Sequence, residues 1–250
     1  MKRTNVYFAT VVKRTNIIKV AFLSIFLLIG SWPSAIIEVF TRRNFGERHF
    51  LLPLNLFLAA MLGIIPFGMA TYFESWWDTI INNLTWYGFI TAFVVFSLKR
   101  YSEIIRDPGT FDLQRYTLSS GEVNSWFHEL NLFGGAPSIR TISIYLEPAV
   151  FLIAGIILTA AKQHIGVVLI VCSVIYSLNW SARYYLGDQF IMDKIDETIC
   201  NEELVNVFVD GKLPGEARGF DMHTRRPNDR EFRRKVAESM IEDEPAVDVL

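Results

Sequence analysis

Residues 141–161 read TISIYLEPAVFLIAGIILTAA, residues 162–164 read KQH, and residues 165–185 read IGVVLIVCSVIYSLNWSARYY. A helix rises about 1.5 Å per residue, so roughly 20 apolar residues match the hydrocarbon core of a bilayer. Both stretches reach that length. Their only charges are Glu147, near the start of the first, and Arg183, at the end of the second. No water in the hydrocarbon can satisfy backbone groups, so such runs must be helices. The pair predicts a transmembrane hairpin, and with it an all-α, polytopic helical membrane protein.

Upstream, residues 51–72 are apolar apart from Asn55 and Thr71, and residues 80–98 form a further span after a short turn. Four transmembrane helices are therefore expected. The first apolar run, residues 17–40, is interrupted by Gly30-Ser31-Trp32-Pro33-Ser34. Proline removes a backbone donor and disfavours helix at the preceding residue. The run reads as a re-entrant or interfacial hairpin with the interruption at its tip, or as a kinked fifth membrane helix. It lacks a convincing small-residue cleavage site, so it is read as a retained membrane segment rather than a leader.

Basic residues collect on the cytoplasmic side of a membrane protein. Lys2, Arg3, Lys13, Arg14 and Lys19 precede the first run. Arg42, Arg43 and Arg48 follow it, and Lys99, Arg100, Arg106, Arg115 and Arg140 lie between the hairpins. If residues 17–40 do not cross, every basic block lies inside except Lys162. Four spans with both termini cytoplasmic is the expected topology; five spans with an external N-terminus is the alternative.

The chain then divides into six parts. Residues 1–49 hold the basic N-terminus and the re-entrant or kinked element. Residues 50–98 and 141–185 are the hairpins, and 99–140 a cytoplasmic segment. Residues 186–210 form an acidic amphipathic helix, and 211–250 a flexible charged tail. In the middle segment Arg106-Asp107-Pro108-Gly109 reads as a turn. Ser119-Ser120-Gly121-Glu122 matches a capping box, followed by Val123, Trp126, Phe127 and Leu130 on one helical face. Gly134-Gly135-Ala136-Pro137 stops that helix. Ile191, Ile195 and Ile199, continued by Leu204, Val205 and Phe208, form a stripe that must bury against something. Arg225, Arg226, Arg230, Arg233, Arg234 and Lys235 form a basic cluster in the tail. The cluster could meet anionic headgroups or nucleic acid, but the acids beside it weaken both readings and a disordered or fold-on-binding tail is expected. Nucleic acid is not an expected partner, and membrane lipid is one through the spans.

Ala59 with Gly63, and Gly155 with Thr159, place small residues one helical turn apart, a spacing that lets helices approach closely in lipid. Packing among the chain's own helices explains this, as does an interface with another subunit. Glu147 is the candidate intramembrane polar residue; the plainer reading is an acid at a helix start, favoured by the helix dipole. Asn55 and Asn179 read as packing polars. Trp76, Trp77, Trp86, Tyr87, Trp180, Tyr184 and Tyr185 suit interfacial aromatic belts.

The sequence contains no phosphate-binding loop, dinucleotide fingerprint, nucleophile elbow or zinc pattern, and His128-Glu129 lacks a second histidine at position 132, which is Leu132. Cys172 and Cys200 read as free buried thiols. No catalytic, cofactor-binding or metal residues are assigned.

Residues 145–204 run Tyr145-Leu146-Glu147-Pro148, a hairpin, then Phe190-Ile191-Met192-Asp193-Lys194-Ile195-Asp196. This arrangement resembles small polytopic inner-membrane proteins of bacterial conjugative elements, associated with DNA-transfer and secretion machinery. The resemblance implies a bacterial inner-membrane location and a non-enzymatic role as scaffold or anchor of an envelope complex, with other membrane subunits or further copies of the chain as partners. The alternative is a small transporter or channel component with Glu147 as its polar centre.

Overall fold

A computed structural model describes residues 3–13, 17–69, 75–105, 116–130 and 135–243. The chain is mostly helical and divides into two compact units. Phe22–Tyr184 form a helical unit, and Met1–Ala21 with Tyr185–Leu250 form a terminal unit.

Among the described residues three helices are long and apolar enough to cross a membrane: Ile18–Thr41, Ile139–Ala160 and Ile165–Phe208. A fourth is obtained if α3 (Trp76–Asn82) and α4 (Leu84–Ile104) count as one span bent by 80°. This arrangement is compatible with membrane insertion. It bears on the sequence expectation in two places.

First, α1 (Ile17–Thr41) is one helix that runs through Pro33, so no hairpin with a tip at residues 30–34 forms. Proline costs the helix a donor and crowds the carbonyl one turn back. Two hydroxyls take up carbonyls in that turn: Ser34 Oγ donates to Gly30 O at 2.7 Å and Ser31 Oγ to Leu28 O at 2.6 Å. Second, of the expected span over residues 51–72 the structure describes the helix α2 (Leu52–Met69), and residues 70–72 lie outside the described residues. Its apolar stretch Leu52–Gly68 reaches about 26 Å at 1.5 Å per residue.

The α3–α4 bend falls at Asn83, whose side-chain amide donates to the Thr79 carbonyl at 2.9 Å. α2 and α4 form an antiparallel hairpin, tied where Trp86 Nε1 donates to Leu62 O at 2.9 Å and Tyr87 OH to Gly63 O at 3.2 Å.

The capping box at residues 119–122 does not form. Gly121 has φ +84°, and Glu122–Val123 is a strand, β3, paired antiparallel with β2 (Arg42–Arg43). The Glu122 carboxylate accepts from Asn44 Nδ2 at 2.8 Å rather than reaching back to a helix start. The helix, α5, is only Ser125–Glu129, and its cap is Asn124, which accepts from Trp126 N. A short α6 (Ile139–Thr141) passes through a π-helical turn, Ile142–Leu146, into α7 (Glu147–Ala160). The expected turn at Arg106–Gly109 and the start of the expected stop at Gly134 lie outside the described residues.

α7 and α8 (Ile165–Phe208) approach at glycines. A Cβ on Gly155 would lie 2.8 Å from Gly166 O, and a Cβ on Gly166 would lie 2.5 Å from Thr159 N. The Gly155/Thr159 spacing thus serves contact within the chain. Gly63 has open space around its Cβ position.

In the terminal unit, Leu204, Val207, Phe208 and Val209 are buried against Ala217, Met222 and Ala237, with Tyr7 and Phe220 packed alongside. Each large apolar side chain removed from water contributes about 1.5–3 kcal/mol. Gly211, at φ +79°, turns the chain back after α8. Where the sequence suggests a flexible tail, the described residues to Asp243 hold a 3-10 turn (Pro214–Glu216), α9 (Arg230–Ser239) and β4 (Ile241–Asp243). β4 pairs antiparallel with β1 (Arg3–Asn5), so the two chain ends share one small sheet. The apolar positions of residues 204–209 found a partner: the chain's own tail.

α9 starts at Asp229, whose carboxylate accepts from Glu231 N at 3.0 Å. Asp229→Ala is expected to cost about 1 kcal/mol. Faster amide exchange confined to α9 checks this.

Candidate functional site: a buried ion pair where helix ends meet

Arg42 follows α1 directly, and its guanidinium is buried. Glu147 opens α7 and is also buried, with side chains 2% and 0% exposed respectively. The two form a bidentate pair: Nε donates to Oε1 at 3.0 Å and Nη2 to Oε2 at 2.6 Å. Arg42 Nη2 also donates to Ser143 Oγ at 2.7 Å, and Nη1 to Ser120 Oγ at 3.4 Å. Tyr176 OH donates to Glu147 Oε2 at 2.6 Å. The Arg42 guanidinium lies 4.0 Å over the Trp180 ring, and that of Arg183 lies 4.8 Å over the same ring.

Each element places its group for a local reason. Glu147 sits in the first turn of α7, where the dipole favours an acid, and Pro148 suits that turn. Tyr176 and Trp180 are one turn apart on α8, so they share a face. Ser143 lies in the π-helical turn before α7. The β2–β3 pairing holds Arg42 beside Ser120.

A second acid stands next to the first. Glu38, buried near the end of α1, pairs with His49 Nε2 at 3.2 Å and Arg183 Nη1 at 3.7 Å. The His49 ring stacks on Phe45 at 6.1 Å between centroids. Nearby, Arg100 of α4 donates to the Val39 carbonyl at 3.1 Å, and Asn179 Nδ2 donates to Ser34 Oγ at 2.9 Å. The cluster joins the end of α1, the C-terminal turns of α4, the start of α7 and the Tyr176–Arg183 stretch of α8.

Charge-assisted, bidentate bonds are the strong kind. A buried pair still gains little net stability over an apolar substitute, because desolvation offsets the attraction; removing one partner alone is costly. The arrangement therefore specifies geometry. Glu147 accepts from Arg42 and Tyr176, and its charge is neutralised in place.

Sequence reasoning located Glu147 but assigned it no basic partner, and it missed Glu38, Arg42, Tyr176 and Trp180 as members of a site. Arg42 lies just past the apolar run, and an arginine and an acid bordering two different runs are complementary charges. Nothing in a single sequence pairs residues so far apart.

Of the two apolar faces read from the sequence, that of Val123, Trp126, Phe127 and Leu130 is not one helical face, whereas Ile191, Ile195 and Ile199 all lie on α8. Val123 lies in β3 and is partly buried. Phe127 is buried, Leu130 is partly buried, and Trp126 is exposed. Ile191 and Ile195 are exposed, while Ile199 lines a cavity of about 320 Å³ with Phe8, Cys200, Arg218 and His223. Among the described residues no group of three or more His, Cys, Asp or Glu side chains could hold a metal.

Further along α8, the Glu203 carboxyl is held below the usual carboxylate range by Asn206 Nδ2, which donates at 2.7 Å, and by Arg218 Nε at 2.9 Å. Arg218 is held above the usual arginine range by Glu202 first and Glu203 second. A depressed carboxyl stabilises the fold above its unfolded value, and that contribution fades as pH falls through the folded value. The terminal unit is expected to lose protection from proteolysis below about pH 4, with Glu203→Gln blunting the pH dependence.

Comparison with known protein families, with curated proteins and with solved structures finds no match. What the fold and site define is a class: a helical protein with apolar helices of membrane-crossing length, held at one set of helix ends by a buried Arg–Glu pair.

Proposed function

We propose that the protein is a non-enzymatic integral membrane subunit, a scaffold or anchor that crosses the bilayer four times and carries a folded unit made from both of its ends. The observation that carries this is the self-paired Arg42–Glu147 cluster. Within the pair, both Glu147 oxygens are spent on Arg42 and Tyr176, and Arg42 also holds Ser143, so the two charges join helix ends as a structural lock requires. The alternative, a transporter or channel component with Glu147 as polar centre, needs that carboxylate to exchange partners.

Parity supports the topology. β1 and β4 are hydrogen-bonded, so residues 3–5 and 241–243 share one face of the bilayer, and the chain between them crosses an even number of times. The Arg42 and Arg183 guanidinium groups lie over one ring, so residues 42 and 183 also share a face. Past Arg183 the chain is too rich in charge to cross again. On this reading α1 does not cross, although it is long and apolar enough to, and the four crossings are α2, α3–α4, α7 and α8. The basic residues at 42, 43, 48, 99, 100 and 140 then share the face of the termini, which the positive-inside rule makes cytoplasmic.

A bacterial inner membrane, and a place in a conjugative or type IV secretion complex, rest on the resemblance of residues 145–204 alone. Gentle extraction and affinity purification test the scaffold reading. Recovery with a fixed set of partner subunits supports it. Recovery alone, together with loss of an ion or solute flux in Glu147→Gln, overturns it in favour of transport.

A further inference from the structure

The N-terminal half of α1 differs from the rest of the helix. From Gly30 to Thr41 most positions are buried or partly buried; before Gly30 most are exposed. Ile18, Phe22, Ile25, Ile29 and Trp32 are all exposed, and Ile18 is 82% so. They are spaced four, three, four and three residues apart, which puts them on one stripe of the helix. Off that stripe lie Lys19 and Ser24, the partly buried Leu23, Phe26 and Leu27, and the exposed Val20. The chain before α1 carries Lys2, Arg3, Lys13 and Arg14 and no acid; Lys13 is paired with Asp193 of α8 at 3.4 Å.

We propose that this stripe is a lipid-binding surface: α1 lies in the headgroup layer of the face that carries the termini, with the stripe turned toward the acyl chains and the basic residues against anionic headgroups. The inference rests on the non-crossing topology above and adds the occupant. Three observations favour lipid over a protein partner. A helix that neither crosses nor packs over half its length must cover its apolar stripe with whatever lies at that level. The stripe ends where the packed part of the same helix begins, so it is continuous with a unit whose other helices also expose apolar faces, as at Ile153 and Ile156 of α7. The segment that precedes α1 in the sequence is basic, the sign that anionic lipid attracts. An interfacial helix of this kind buries its apolar face about 5–10 Å below the headgroups.

The test is depth. The full chain carrying Ile25→Cys, labelled with a fluorophore, is reconstituted in phosphatidylcholine vesicles with and without phosphatidylglycerol. Nitroxide-labelled lipids, spin-labelled near the headgroup or near the chain end, act as quenchers. Ile156→Cys, on the exposed face of α7, reports correct insertion through strong quenching by the deep label. The expected result at position 25 is shallow quenching exceeding deep quenching about twofold, rising with phosphatidylglycerol and falling with salt. Stronger deep quenching would mean that α1 crosses, overturning both the topology and the anchor. Quenching by aqueous iodide alone, or cross-linking between copies through position 25 with no lipid quenching, would leave the topology standing and overturn the lipid assignment.

Discussion

Arg42→Met is expected to destabilise the helical unit by about 3–5 kcal/mol, because it leaves Glu147 buried and unpaired. Glu147→Leu is expected to cost a similar amount by stranding Arg42, although Arg42 keeps Ser143 and the Trp180 ring. The double variant Arg42→Met/Glu147→Leu should recover most of the loss, since an apolar pair of similar volume avoids the desolvation that the ion pair offsets. Thermal or denaturant unfolding in detergent, read as a double-mutant cycle, checks this. Additive losses would mean that the two groups do not act as a pair. Tyr176→Phe removes one donor from Glu147 and should cost less, about 1.5–3 kcal/mol for a bond to a charged group.

The second large effect belongs to the α7–α8 hairpin. Gly166→Val must open a crossing in which even a Cβ would lie 2.5 Å from Thr159 N and 2.6 Å from Gly155 O. Backbone atoms cannot swing away as a side-chain end can. The cost is expected at about 1–3 kcal/mol, the range for overpacking, and the same denaturation series measures it. Gly63→Ala supplies the contrast. Its Cβ would meet nothing within 4 Å, and alanine gains close to 1 kcal/mol of helix propensity. Equal losses at both sites would contradict the crossing described here.

The hairpin over residues 141–185 was legible because length and hydropathy alone determine it; α7 and the first half of α8 fall where the apolar runs do. The break at Gly30–Ser34 misled for a local reason. Proline predicts an interruption, but the helix continues through Pro33, with the Ser31 and Ser34 hydroxyls on the neighbouring Leu28 and Gly30 carbonyls. The capping box failed because the same residues had a competing use: Gly121 allows a left-handed turn and the strand at Glu122–Val123 pairs with Arg42–Arg43. The tail reads as polar because its apolar residues, Ala217, Met222 and Ala237 among them, are few and scattered. Their partner, the face at residues 204–209, is visible only once the chain has turned back at Gly211. The Arg42–Glu147 pair is non-local altogether: Glu147 stands out within its apolar run, but Arg42 looks like an ordinary charge past the end of another.

The measurement that tests the topology most directly is the sidedness of three exposed positions in sealed vesicles. Val11→Cys, His164→Cys and Arg225→Cys are probed one at a time with a membrane-impermeant maleimide; the native Cys172 and Cys200 are buried. The account predicts that positions 11 and 225 label from the same face and position 164, in the α7–α8 turn, from the other. Labelling of positions 11 and 225 from opposite faces would give the chain an odd number of crossings and contradict it.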